Sequence, residues 1–195
     1  MTKLTNFLVL FLVLNFSSYS QNFLSTSGSS IVNENGDTII FRGMGLGGWM
    51  VQEGYMMAPG GFSSTQYQIK DRLIELIGEE ETDVFYHNWL SNHVRKIDID
   101  SMKQWGFNLI RVPIHYNLFT EPIENEPFPN AYTEKEIGFT LLDSLLSWCK
   151  QNQIYLMIDL HAAPGGQGYN ADISDYDPTK PSLWESTLKI GRAHV

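Results

Sequence analysis

The apolar residues of this chain fall into runs and periods that change character several times. Residues 7–16 are an almost unbroken apolar run behind a single positive charge at Lys3. Ser18-Tyr19-Ser20 then gives a small-x-small pattern before Gln21, so residues 1–20 have the order of a secretory signal peptide. A membrane-spanning helix needs roughly 20 apolar residues, about twice this run. Residues 21–30 are small and polar and predict a flexible lead-in. Ile31-Val32 and the run at 38–41 flank Asn33-Glu34-Asn35-Gly36-Asp37, which predicts an N-terminal β-hairpin about an Asn-Gly turn. The glycines at 43, 45, 47 and 48 predict close backbone approach where a strand emerges into a loop.

Helical spacing begins after that loop. Ile69, Leu73, Ile74 and Ile77 predict a helix over Gln66–Ile77, with Gly78 as its stop. Val84, Phe85, Trp89 and Leu90 share one face of a second helix over 81–93, and a short third helix covers 99–105. Residues 107–112 form a short apolar strand closed by Pro113. Leu141, Leu142, Leu145, Leu146 and Cys149 mark a further helix. Residues 154–160 are nearly continuously apolar, the pattern of a strand buried on both faces of a parallel sheet. A glycine-rich loop over 162–169 follows.

Strands separated by helical segments require right-handed crossovers and a parallel sheet, so the fold class is α/β. Polar and charged residues gather where each strand ends, which is where a (β/α)-barrel keeps its chemistry. A doubly wound sheet is the rival. Against it, the glycines at 43–48 do not have dinucleotide spacing, and no helix opens directly after them.

Composition removes several function classes. With Lys+Arg 13 against Asp+Glu 22 and a net charge of −9, the chain offers no electrostatic footprint for nucleic acid. Its 43% apolar and 18% charged residues exclude a disordered chain. A single cysteine, Cys149, excludes a disulfide scaffold and a cysteine-based zinc cluster. No segment after the leader is apolar enough to span a bilayer, so an exported chain held by packing is expected.

Three constellations carry candidate chemistry. Trp49, Glu53 and Tyr55 lie on a glycine-bounded loop, and an aromatic beside a carboxylate suits a neutral polyol: the ring stacks on the sugar face and the carboxylate accepts from hydroxyls. Equally, the aromatics can cap a core while Glu53 sits in solvent. Arg111 closes an apolar strand ahead of His115, and a charge there needs a carboxylate partner, whether at a working site or in a structural ion pair. Alternation along the last strand puts Asp159 and His161 on one side, so Asp159 can orient the His161 ring. A structural histidine, or half of a metal site, fits the same pair.

Taken in order, the stretches 41–49, 105–113 and 159–167 resemble glycoside hydrolase family 5, the cellulase and β-glucanase family of (β/α)8 barrels, over roughly residues 31–184. The runs 53–56 and 164–167 look most like its exo-β-1,3-glucanase branch, which has a proline where this chain has Gly54. The resemblance implies that Arg111 holds the nucleophile carboxylate and that His161 contacts the sugar where the bond breaks. It implies that Glu53 and Tyr55, aided by Trp49, His115 and Asn170 or Asp172, bind the same sugar. It implies no metal and no cofactor, with a β-glucan or oligosaccharide as the partner.

Retaining hydrolysis needs two carboxylates about 5–5.5 Å apart. The family supplies one in an Asn-Glu-Pro stretch, which this sequence lacks. A closed barrel takes about 250 residues. The expectation is therefore a TIM barrel truncated after about three βα units, occupying residues 31–189, with 190–195 a non-native tail and the fragment inactive alone. The rivals are a metal-dependent barrel hydrolase using Asp159 and His161, a noncatalytic sugar-binding barrel, and a secreted adhesin.

Overall fold

The computed structural model describes residues 24–58, 61, 63–128, 131–169, 171–187 and 189. The leader expected at 1–20 and the tail expected at 190–195 lie outside these residues. Contacts divide the chain into two units, one through Ile40 and one from Phe41 onward.

In the first unit, β1 (Ser25–Ser27) pairs antiparallel with β2 (Ser30–Val32), with Thr26 opposite Ile31. Within the lead-in expected over 21–30, residues 25–27 and 30 are thus in paired strands, and 21–23 lie outside the described residues. Gly28 takes φ +60°, the left-handed conformation that a tight two-residue turn into Ser29 demands. The expected Asn-Gly turn is present, with Asn33 N–H donating to Asp37 O at 3.0 Å, but the arm after it adds only the isolated bridge from Val32 to Thr38. The Asn33 side chain accepts from the backbone of Asn35 and Asp37, so this turn is closed by a side chain rather than by an extended ladder.

The second unit is built on a three-stranded parallel sheet in the order β3 (Gly43–Gly45), β4 (Leu109–His115), β5 (Tyr155–Ala162). Gly45 stands opposite Arg111, and Pro113 opposite Asp159. The first strand of this sheet thus lies within the glycine run. The expected stop of β4 at Pro113 is also corrected, since the strand runs on to His115. The reason is positional. Arg111 O accepts from Leu46 N–H, so the nitrogen of Pro113, two residues on, faces the same side. There β3 has already ended, and pairing resumes only at the bridge from Met50 to Ile114. The missing donor therefore costs no ladder bond.

Four longer helices lie between the strands: α2 (Gln66–Ile77), which packs on α3 (Glu79–Asn92), and α4 (Lys96–Gln104), which packs on α5 (Glu136–Asn152). Thr65 starts α2 by accepting from Gln68 N–H. Glu79, Glu80 and Glu81 place negative charge at the positive end of α3. Two one-turn helices, α1 (Gly54–Met57) and α6 (Ala171–Ser174), follow β3 and β5. Ile99, Leu145 and Cys149 pack with Ile110, Val112, Ile154, Trp49 and Met50 in one core. The expectation that the last strand is buried on both faces fails: Met157 and Ile158 of β5 are 48% and 54% exposed. Adjacent strand residues point to opposite faces, so both faces of this edge strand are partly open in its middle.

Candidate functional site

The site grows from the carboxyl ends of the three parallel strands. Beyond β3 the chain turns through residues 47–49, bridges to Ile114 at Met50, and runs Val51-Gln52-Glu53 buried into the N-terminus of α1. Glu53 is therefore held beneath the end of β5, with its side chain only 3% exposed, and not in solvent. The Gly54 N–H donates to Ser64 O at 2.9 Å and anchors the segment.

Four side chains meet there. Arg111, from β4, points across the sheet, and its Nη2 contacts Asp159 Oδ2. The same Nη2 lies 3.1 Å from His161 Nδ1, while Nδ1 and Asp159 Oδ2 are 2.9 Å apart. Nδ1 thus lies between a group that only accepts, Asp159, and one that only donates, Arg111: it donates to Asp159 in the Nδ1–H tautomer and accepts from Arg111 in the Nε2–H tautomer. His161 Nε2 is then turned to Glu53 Oε1, 3.6 Å away. That gap exceeds a direct hydrogen bond. The Tyr55 hydroxyl completes the row beside Glu53, and loss of its proton is disfavoured first by desolvation and then by the adjacent carboxylate.

Arg111, Asp159, His161, Glu53 and Tyr55 are thus one continuous polar row, joining strand ends that are far apart in sequence. Arg111 finds its carboxylate within the chain, at Asp159, so Asp159 serves the guanidinium as well as the imidazole. A fixed positive charge against Asp159 also makes the Asp159–His161 pair a poor cation site. Among the described residues, no group of three or more His, Cys, Asp or Glu side chains could hold a metal ion.

Two expected sugar contacts are corrected. Trp49 is 2% exposed and its Nε1 donates to Leu90 O at 2.9 Å, so the ring belongs to the core and has no face to offer. His115 is equally buried: Nε2 pairs with Asp175 Oδ2 at 2.9 Å and Nδ1 accepts from Asn117 N–H. Both ring nitrogens are committed. Asn170 lies outside the described residues, and Asp172 lies on α6.

The sequence offered no local signal for Asp175. At φ +51° it accepts from the N–H of Tyr67 at 3.0 Å with one oxygen and holds His115 with the other, clipping α2, β4 and the loop after β5 together. Gln167 carries no signal of its own within the stretch 164–167. Its amide oxygen accepts from Ala163 N–H, and its amide nitrogen donates to His161 O, so it braces the turn that ends β5.

Residues 68–186 match the sequence pattern of Cellulase (glycosyl hydrolase family 5). A "Beta-xylosidase" of Phanerodontia chrysosporium is 34% identical over 164 residues, covering 84% of this chain and 32% of that protein. A "Probable glucan 1,3-beta-glucosidase A" of Aspergillus niger is 33% identical over 130 residues, covering 66% of this chain and 29% of that protein. The chain thus spans about a third of the length of these curated relatives. The crystal structure of rutinosidase from Aspergillus niger superposes with a TM-score of 0.58 at 17% identity, over 79% of this chain and 41% of that one. That likeness is one of fold, and the family's fold is the TIM barrel, of which the described residues form three parallel strands without closure. Strand order, strand-end polar row and the match over 68–186 agree: this chain belongs to glycosyl hydrolase family 5.

Proposed function

We propose that the chain forms the sugar-binding wall of a secreted, retaining β-glycosidase that cleaves a β-glucan or β-glucoside, and that residues 31–189 are the N-terminal part of its catalytic barrel. One observation carries this reading: Glu53, His161 and Tyr55 converge at the strand ends, with His161 oriented by an ion pair behind it. Two neighbouring hydroxyls of one pyranose match that arrangement. One donates to the Glu53 carboxylate, and the other meets His161 Nε2, which accepts in the Nδ1–H tautomer that Asp159 favours and donates in the Nε2–H tautomer that Arg111 favours. The Tyr55 hydroxyl, on a side chain 62% exposed, stands at the rim where a sugar enters.

The same residues are unsuited to break the bond. Glu53 is engaged with Tyr55 and His161, and Asp159 with Arg111, so neither is free as nucleophile or acid. In this reading the acid pair is contributed by other sequence, and the 195-residue chain binds without turnover. Relatives named "glucan 1,3-beta-glucosidase" support a glucan substrate, while the β-xylosidase and a "Glucan endo-1,6-beta-glucosidase B" of Emericella nidulans leave the linkage to be measured.

The test is an extended gene whose product is assayed on β-1,3-glucan, with the anomeric configuration of the released sugar followed by NMR. Retained configuration, abolished by Glu53→Gln through a raised KM, supports the reading. Inverted product, or full activity in that variant, overturns it.

A further inference from the structure

The chain on either side of Glu53 is pinned to the start of α2. Before it, Gln52 N–H donates to Gln66 Oε1 at 2.8 Å. After it, Gly54 N–H donates to Ser64 O at 2.9 Å, and Ser64 N–H donates in turn to Gln68 Oε1 at 2.9 Å. These bonds bracket Glu53, so its place is set by where the first turn of α2 stands. That turn is itself held from outside the helix. A helix leaves its first N–H groups without a partner of its own. Thr65, the cap of α2, reaches Gln68 N–H, whereas Tyr67 N–H donates to Asp175 Oδ1 at 3.0 Å. The other oxygen of Asp175 takes the Nε2 hydrogen of His115 at 2.9 Å, because His115 Nδ1 already accepts from Asn117 N–H. Two donors from different elements thus converge on one carboxylate, where an amide would have a single acceptor oxygen for the two. The Asp175 side chain is 12% exposed, and its charge sits at the positive end of a 12-residue helix. A second thread runs the same way: Tyr86 donates its hydroxyl hydrogen to Gln52 Oε1 at 2.8 Å, and burial first, then the charges of Asp175 and Asp71, keep that hydrogen in place.

We propose that Asp175 is a positioning residue for the sugar site: through Tyr67 and Gln66, neighbours in the first turn of α2, it sets where Glu53 stands against His161. Both oxygens of Asp175 are spent on Tyr67 and His115, so it acts on a sugar only through these contacts. It ties the loop that follows His161 to the segment that carries Glu53, and so fixes the spacing of the two groups that meet neighbouring hydroxyls. This role rests on the sugar-binding reading of Glu53 and His161.

The experiment follows the His161 ring signals by NMR in the 195-residue chain with 13C,15N-labelled histidine. Glu53→Gln takes the carboxylate charge away from Nε2, 3.6 Å distant, and defines how far the signals move when that charge is gone. Asp175→Asn suits the native φ of +51° and loses the charge and one acceptor. It and Gln66→Met should each move the His161 signals in the direction of Glu53→Gln by part of that displacement. Gln66→Glu, which keeps an acceptor for Gln52 N–H, should restore them. Asp175→Asn added to Gln66→Met should move them by less than the sum of the two, because both act through one contact. The affinity for a β-1,3-linked glucose disaccharide should fall about three- to tenfold in Asp175→Asn and in Gln66→Met. A carboxylate with a merely structural role would lower Tm and leave the ring signals of the folded chain in place. Gln66→Met spares the buried His115–Asp175 pair, so it reads the contact even where Asp175→Asn unfolds. Unmoved His161 signals in Gln66→Met, full additivity, or no restoration by Gln66→Glu overturns the proposal. Moved signals in a native chain that binds no disaccharide uphold the positioning of Glu53 and overturn the sugar reading instead.

Discussion

Asp159 and His161 stand two residues apart on β5, and Asp159 Oδ2 lies 2.9 Å from His161 Nδ1 while also receiving the Arg111 guanidinium. One carboxylate oxygen thus fixes both the ring and the charge beside it. Asp159→Asn keeps the shape but removes the charge. 15N spectra of the neutral His161 ring should show less of the Nδ1–H tautomer in the variant than in the native chain.

The Arg111–Asp159 pair is partly open, with side chains 42% and 30% exposed, so its own contribution to stability is screened. Arg111→Met should cost about 1 kcal/mol or less in denaturant unfolding. Combined with Asp159→Asn, the loss should fall short of the sum of the two single losses, because each single change leaves the other group unpartnered.

Glu53 raises the pKa of Tyr55 by its charge, on top of the larger effect of desolvation. Glu53→Gln removes the charge. Following the Tyr55 ring carbon by NMR against pH should show deprotonation at lower pH in the variant than in the native chain. An unchanged midpoint means the hydroxyl does not face Glu53.

Gly54 has no room for a side chain. A Cβ there would stand 2.4 Å from Ser64 O, a backbone atom that also accepts the Gly54 N–H. Gly54→Ala should lower stability by about 1–3 kcal/mol, read as a fall in Tm, because the segment bearing Glu53 and Tyr55 must shift.

Cys149 lies in the core, and burial raises its thiol from 9.0 to about 11. The folded chain then keeps its proton where the unfolded chain has lost it. Stability should fall as pH rises from about 9 toward about 11, and Cys149→Ala should remove that part of the slope. At pH 8 the native thiol should resist a disulfide reagent until denaturant is added.

How much of this was legible beforehand depended on whether the cause was local. The helix Gln66–Ile77 has the bounds its spacing predicts, because Ile69, Leu73, Ile74 and Ile77 repeat at the helical period and Gly78 follows them. The Asp159–His161 contact was readable as well, since alternation within one strand places both side chains on one side. Gly28-Ser29 was a readable turn that composition obscured: the serines around it look like a linker, yet a glycine before a polar residue is also a hairpin signal. Trp49 and His115 could be placed at strand ends but not assigned a direction. An aromatic ring suits a sugar or a core equally well until its neighbours are known.

Period, punctuation and charge along the chain suffice for its four longer helices, its three parallel strands and the end of the sheet where polar groups collect, because each of these is a relation among residues a few positions apart. Apart from Asp159 and His161, which carboxylate met which base was settled only in three dimensions. Arg111 reaches Asp159 across 48 residues and His115 reaches Asp175 across 60, and Glu53 came under His161 rather than into water. Those pairings follow from the register of parallel strands and the path of the connecting loops. A burial cost that is paid or relieved by a partner so distant in sequence leaves no trace in the spacing around either residue.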